Sequence, residues 1–176
     1  MTALAHLPPL RDRVRPPVRV LFVGINPGVR SAQVGHHFAG FSNRFWKLLY
    51  GARLVPEPIT FAGDDRLPEW GLGITNLIAR ATPGIDTLRP EEYVDGVRIL
   101  RRKVRRWQPA AVAFVGVTVF RAVFACRTGT PVKLGRHRAR FEGARVIVLP
   151  NPSGRNANFS YQEMLEAFRT LKRFVH

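Results

Sequence analysis

The sequence has one cysteine, Cys126, and only 12 acidic residues against 28 lysines and arginines. A lone thiol excludes an intramolecular disulfide framework and cannot supply the ligands of an iron–sulfur cluster or a zinc ribbon, so Cys126 reads as core filler. The shortage of acid leaves a formal charge of +16, spread along the chain rather than gathered in a tail. That balance favours a polyanionic partner, nucleic acid ahead of an anionic membrane surface, because phosphate contacts release counterions. No apolar run reaches membrane-spanning length, and the Pro-rich, basic start contains no apolar stretch of signal-peptide length. A cytoplasmic protein without membrane association is expected, nucleoid-associated through DNA if bacterial. A G-x-G-x-x-G fingerprint is also missing after the first apolar strand, which argues against a generic nucleotide-binding α/β domain.

What remains is a chain of 176 residues, 45% hydrophobic, enough for one globular domain with a sizeable core. Residues 1–17 read as a basic, Pro-rich arm and 18–176 as a single domain. Val18–Gly24 is β-branched and apolar and ends on Asn26-Pro27-Gly28, a strand running into a loop. Ser42–Gly51 has helical spacing, 52–71 reads as a surface excursion with at most one helical turn, and Gly73–Ile78 as a short strand. Arg89–Trp107 is a long basic helix opening on Pro90-Glu91-Glu92, and a strand (Ala110–Gly116) and a helix (Thr118–Cys126) follow. Arg145–Leu149 repeats the first design, a strand closing on Asn151-Pro152-Ser153-Gly154. A helix over Ser160–Phe174 then ends the chain, with Ser160 and Glu163 forming a capping box. Alternating strands and helices predict a three-layer α/β/α fold with a mostly parallel central sheet. Sites in such folds lie beyond the carboxyl ends of the strands, where both Asn-Pro loops would meet.

Gly24-Ile25-Asn26-Pro27-Gly28, Gly35-His36-His37-Phe38-Ala39-Gly40 and Asn43-Arg44-Phe45-Trp46-Lys47 together resemble the first active-site block of the mismatch-specific uracil/thymine-DNA glycosylases of the uracil-DNA glycosylase superfamily. Leu149-Pro150-Asn151-Pro152-Ser153-Gly154-Arg155-Asn156 is similar to that family's DNA-insertion loop. Gly73-Ile74-Thr75-Asn76-Leu77 and Ala81-Thr82-Pro83-Gly84 resemble the thymine-glycosylase branch. The likeness runs in order and spacing from Val18 to the C-terminal helix. It implies a monofunctional glycosylase that flips uracil, and by extension thymine or a modified cytosine, out of G-mismatched duplex DNA and hydrolyses the glycosidic bond. That activity would initiate base-excision repair, without a cofactor or metal and as a monomer.

The chemistry suits these residue types. Breaking an N-glycosidic bond builds positive charge on the sugar and negative charge on the departing base, and a water must stand at the anomeric carbon. By resemblance Asn26 positions that water. Its amide takes up no proton at neutral pH, so it orients rather than activates; the plainer reading is a turn residue before proline. Phe38 matches the aromatic on which the flipped base stacks, or is one more core phenylalanine. Ile25 would offer its backbone to the base edge. His37 would assist the water or the leaving-group oxygen, or else face solvent or phosphate. Asn76 would hold a base carbonyl or a water, or only satisfy backbone at a strand end. Asn151, Pro152 and Ser153 would line the site and cradle a phosphate through N–H groups and the Ser153 hydroxyl, with Gly154 allowing close approach to the duplex. Arg155 stands where the bacterial branch carries an apolar wedge; it would fill the hole left by the flipped base or contact phosphate.

His36 and His37 lack a third ligand at a sensible spacing, so no metal is expected. The cluster Arg98, Arg101, Arg102, Lys103, Arg105 and Arg106 is a DNA track or a solvated helix face. Asp86 and Asp95 stand as secondary candidates for a general base. No lysine lies in a recognisable Schiff-base motif, so strand cleavage by elimination is not expected. The reading from another class is a non-catalytic module that binds mismatched or abasic DNA, which would keep the basic face but have no need of Asn26 and Phe38.

Overall fold

The computed structural model describes residues 7–127 and 129–176; the first six residues of the N-terminal arm and Thr128 lie outside it. Five strands form one sheet: β1 (Val20–Gly24), β2 (Leu72–Asn76), β3 (Ala111–Val115), β4 (Gly135–Phe141) and β5 (Ala144–Leu149). Their spatial order is β2-β1-β3-β5-β4, with every pair parallel except β4 against β5. Six α-helices cover it: α1 (Val29–Val34), α2 (Phe45–Gly51), α3 (Pro90–Trp107), α4 (Val117–Phe124), α5 (Tyr161–Arg169) and α6 (Lys172–Val175). The fold is the three-layer α/β/α arrangement anticipated from the sequence.

Strands β1, β3 and β5 are buried on both faces, which is why they read as nearly continuous apolar runs rather than alternating ones. Val20, Phe22, Ala113 and Ile147 point to one side, where Phe45, Leu48 and Leu49 of α2 and Met164 and Phe168 of α5 cover them. Leu21, Val23, Val112, Phe114 and Val146 point to the other, against Leu100 and Val104 of α3 and Val119 and Val123 of α4. Phe22, Phe45 and Phe168 tie the first side together, with Phe22 and Phe45 edge-to-face at 5.1 Å, a geometry the ring quadrupoles favour.

Four features depart from the sequence reading. α1 was not anticipated; it is short and ends on Gly35 at φ 76°. β4 was missed because an edge strand with one solvated face needs little apolar content, and Gly-Arg-His-Arg-Ala-Arg-Phe offers none of the usual signal. The expected C-terminal helix divides at Thr170, whose hydroxyl donates to the Ala167 carbonyl at 2.6 Å. Finally, 52–71 is more than a surface excursion. Phe61–Trp70 winds as 3₁₀ turns that bury Asp64 and Leu67 completely.

The basic arm also makes contacts. Arg13 bridges to Ile74 through two backbone hydrogen bonds of 2.9 and 3.0 Å, extending the sheet past its β2 edge. Asp12 accepts from the Thr75 hydroxyl and pairs with Lys103 of α3 at 2.7 Å.

Candidate active site

Only β3 separates β1 from β5, so the loops that leave their carboxyl ends flank a single strand. Gly116, at the end of β3, donates to the Leu149 carbonyl at 2.9 Å, and a Cβ placed on it would lie 3.6 Å from the Asn151 Cβ. The topology thus gathers the two Asn-Pro loops on one edge, as sequence order required.

Asn26 is held from a third loop. Its Nδ2 donates to the Arg80 carbonyl at 2.9 Å and to Thr82 Oγ1 at 2.8 Å. The polarity of the amide follows from these partners. A carbonyl only accepts, and the Thr82 hydroxyl has spent its one proton on the Gly84 carbonyl, so it too can only accept. Asn26 Oδ1 therefore faces away from this loop, as an acceptor. Arg80 is clamped in turn: its guanidinium grips Glu92 at the start of α3 through two bonds of 2.8 and 2.9 Å. That fork, with the Arg89 N–H, holds the Glu92 carboxyl down at about 2, so it stays ionised.

Phe38 sits at φ 51°, a left-handed conformation costing a bulky residue about 1–3 kcal/mol. Its ring stacks on Phe45 at 4.2 Å and 28°, a contact worth about 0.5–1.5 kcal/mol that helps to keep it there. Opposite stands Asn76 at the end of β2. Between them lies Gly24, where a Cβ would fall 2.6 Å from Asn76 Oδ1 and 3.6 Å from the Phe38 Cζ. The slot between an aromatic ring and an amide exists because position 24 carries no side chain. Ile25, next along, spends its carbonyl on the Ile78 N–H at 2.8 Å.

His37 is buried, at 2% exposure, which removes the solvent- or phosphate-facing alternative and keeps the imidazole off the open edge. Its Nε2 lies 2.8 Å from the Arg11 carbonyl, which can only accept, so Nε2 carries the proton. Nδ1 is then a lone pair, 3.5 Å from Asn76 Nδ2. Burial pushes the imidazole's pKa below its ordinary value, despite the Arg11 bond and the nearby Asp64 charge, and the ring is neutral at pH 7. Asp64, fully buried, anchors the turn: it accepts from the His37 N–H at 2.9 Å and from Arg13 Nε at 3.0 Å, and it meets His36 Nδ1 at 2.9 Å.

The second loop is held by its carbonyls. Arg44 donates its N–H to Pro152 at 2.9 Å, and its guanidinium reaches the carbonyls of Ser153 at 3.2 Å and Asn156 at 3.4 Å. Asn151 turns its Oδ1 back onto the Ser153 N–H at 3.0 Å, so that N–H is not available as the expected phosphate donor. The Ser153 hydroxyl accepts from the Arg155 N–H at 3.3 Å and keeps its own proton to give. A Cβ on Gly154 would fall on Ser42, 2.7 Å from its carbonyl oxygen, so the absent side chain lets the loop pack closely on Ser42. Pro152 is buried beneath the loop, and Arg155 is exposed at its tip.

The basic helix is mostly occupied elsewhere. Arg101 and Arg105 grip Glu142 at 2.8 Å each, Lys103 holds Asp12, and Arg98 lies beside Asp95 at 3.5 Å. Four of its six basic residues are thus paired, while Arg102 and Arg106 have no ion-pair partner among the described residues. Asp95, 65% exposed on α3, takes no part in the Asn26 cluster, and Asp86 is exposed on a 3₁₀ turn beside Gly84. Among the described residues no group of His, Cys, Asp and Glu could hold a metal ion. A cavity of about 850 Å³ between the end of α2 and the C-terminal helix contains none of the expected site residues. One of about 450 Å³ reaches Phe38 but not Asn26 or Asn76. A third, of about 690 Å³, lies at the carboxyl edge itself, where Pro83 and Gly84 face Asn151, Ser153 and Arg155 of the second Asn-Pro loop.

Sequence reasoning passed over Gly24, Arg44 and Asp64. The first two lie inside the quoted motifs, where they read as scaffold; Asp64 lies in the stretch taken for a surface excursion, and its burial has no signal in the local pattern.

Comparison with known proteins agrees with this geometry. The chain is 40% identical over 147 residues to a Schizosaccharomyces pombe protein named G/U mismatch-specific uracil DNA glycosylase, an overlap covering 80% of this chain. It spans 45% of that relative's own length. The family model of the uracil DNA glycosylase superfamily matches residues 12–172, nearly the whole chain. With the α/β/α sheet, the two Asn-Pro loops at its carboxyl edge and a match of that extent, the protein belongs to the uracil DNA glycosylase superfamily.

Proposed function

We propose that this protein is a monofunctional DNA glycosylase that removes uracil from G·U mismatches in duplex DNA, leaving an abasic site and the free base. Thymine and modified cytosines opposite guanine are further candidate substrates. The observation that carries the reading is the fixed amide of Asn26. Two acceptors take its nitrogen, and the oxygen is left to accept from one water. An acceptor that cannot be protonated suits a reaction whose sugar is already cationic when the water adds, since such a water needs placement more than deprotonation.

In this mechanism the duplex lies across the carboxyl edge and the flipped pyrimidine enters the slot over Gly24. Its ring stacks on Phe38, whose other face is supported by Phe45. Ile25 presents backbone to the base edge, and Asn76 reads it. The neutral His37 holds Asn76 Nδ2 and so leaves Asn76 Oδ1 toward the slot, where it accepts the N3–H of uracil. Cytosine, which has a lone pair at N3, finds an unpaired acceptor instead, the kind of mismatch that discriminates most strongly. His37 is thus a positioning residue, acting through Asn76. The Asn151-Pro152-Ser153-Gly154 loop borders the vacated stack, with the Ser153 hydroxyl toward phosphate and Arg155 entering the duplex. We take 18–176 as one glycosylase domain working as a monomer, with Arg11–Arg13 strapped to β2.

The test is incubation of the purified protein, without metal, with labelled duplexes carrying G·U, G·T or A·U, followed by alkali. Scission at G·U that requires alkali supports the proposal. Tight binding of G·U without excision would overturn it in favour of a mismatch-binding module, and scission without alkali would overturn the monofunctional assignment.

A further inference from the structure

Between Asp95 and Glu163 the only acidic residue is Glu142, and both its oxygens are spent on Arg101 and Arg105 of α3. On the opposite side of the β4–β5 hairpin, none of the described arginines has an ion-pair partner. In the antiparallel register Arg140 stands directly across from Arg145, and Arg136 across from Ile147. Ile147 packs into the core on the α2/α5 side, which places this arginine row on that side as well. Arg169 at the end of α5 and Lys172 and Arg173 at the start of α6 close over it, and with Arg136 they line a cleft of about 560 Å³. Among the described residues, none of Arg136, Arg140, Arg145, Arg169, Lys172 and Arg173 has a carboxylate within ion-pair distance.

Like charges directly opposite on an antiparallel ladder oppose folding. The field of Arg140, Arg136 and Arg173 is strong enough to pull the Arg145 pKa below its ordinary value. An arrangement that repels itself is relieved by an anion, and guanidinium forks fit phosphate oxygens best. The cleft is separate from the candidate active site. Arg145 lies at the start of β5 and the Asn151 loop leaves its end, four residues on and so roughly 13 Å away along the strand.

We propose that this arginine cleft binds the phosphate backbone of a second DNA segment while the catalytic edge holds the first. The assignment to DNA rests on the glycosylase reading above, because that substrate is the polyanion at highest local concentration around the bound protein. Occupancy of both faces lets the protein pass from one segment to another without release.

The experiment uses the full chain at limiting concentration. A donor-labelled duplex carrying one G·U pair is mixed with an acceptor-labelled undamaged duplex, and energy transfer is followed from low to moderate salt. Uracil release is read in the same mixture by alkali. Wild type should bring the two duplexes together. The Arg136→Gln, Arg140→Gln, Arg145→Gln, Arg173→Gln protein should lose co-capture at least about tenfold, with a salt dependence shallower by about 3 to 4 log units per log unit, one for each phosphate contact removed. Its uracil release from the first duplex alone should be unchanged and its melting temperature no lower, since repulsion is relieved. The single reversal Arg173→Glu should weaken co-capture in the same direction. No co-capture by wild type, or full co-capture by the fourfold variant, overturns the proposal. Displacement of the second duplex by an acidic peptide or RNA hairpin at lower concentration than by DNA overturns the choice of DNA. Loss of uracil release with co-capture intact counts against the glycosylase reading alone.

Discussion

The two Asn-Pro loops look alike in sequence and are built in opposite ways. After β1, the side chain of Asn26 is gripped from outside by Arg80 and Thr82, which fixes where its oxygen points. After β5, the side chain of Asn151 turns inward to its own loop, while Arg44 holds that loop by its carbonyls and leaves the tip exposed. The first loop is a rigid holder for one atom. The second is a clamped base with a free end. Identical dipeptides thus acquire different geometries from their neighbours, which under the proposed function serve chemistry in one case and contact with the duplex in the other.

That contrast can be broken most forcefully by truncating both asparagines. Asn26→Ala should lower excision from G·U by about 10²–10³-fold, the usual cost of one preorganised hydrogen-bonding group in an active site. Asn151→Ala should cost less than about tenfold, chiefly in KM, because its amide supports a loop rather than the water. Gly24→Ala comes next. The added methyl meets Asn76 Oδ1 and narrows the slot, so single-turnover excision should drop about 100-fold while binding to an abasic duplex is kept. Thr82→Val keeps the shape but loses the acceptor that fixes the Asn26 amide; a fall of about tenfold in kcat with little change in KM would separate it from Arg44→Met, which should raise KM for duplex a few-fold and spare kcat. The smallest effect is on stability. His37 stays neutral when folded, whereas an unfolded histidine takes a proton near pH 6.5, so the unfolded state binds more protons as pH falls. Stability attributable to His37 is present above that pH and is lost below it, down to the lowered folded value. Stability in urea titrations should therefore fall between pH 7 and 5, and the fall should shrink in His37→Asn.

Much of this was legible in the chain. The parallel strands announced themselves because they are buried on both faces, and the capping box of Ser160 and Glu163 appears where the residue types placed it, with Ser160 Oγ accepting the Glu163 N–H at 3.2 Å. Asn26, Phe38 and Asn76 could be named because their motifs keep order and spacing. β4 could not be read, since arginines on an edge strand look like any basic loop. Nor could the burial of His37, which depends on Asp64 and Arg11 arriving from opposite directions in sequence. The packing of Gly154 on Ser42 was hidden for a related reason: the two lie more than a hundred positions apart. Local pattern reports which face a residue shows, whereas partners across the sequence decide which atom of it is left to act.

The central claim is that Asn26 acts on the water and not on the grip of DNA. The direct measurement is the single-turnover rate of uracil release by Asn26→Ala, taken beside its affinity for the same G·U duplex. A rate lowered at least about 100-fold, with affinity within about threefold of wild type, is the predicted result. A rate that survives the substitution, or an affinity that falls as far as the rate, would contradict it and move the water to another residue.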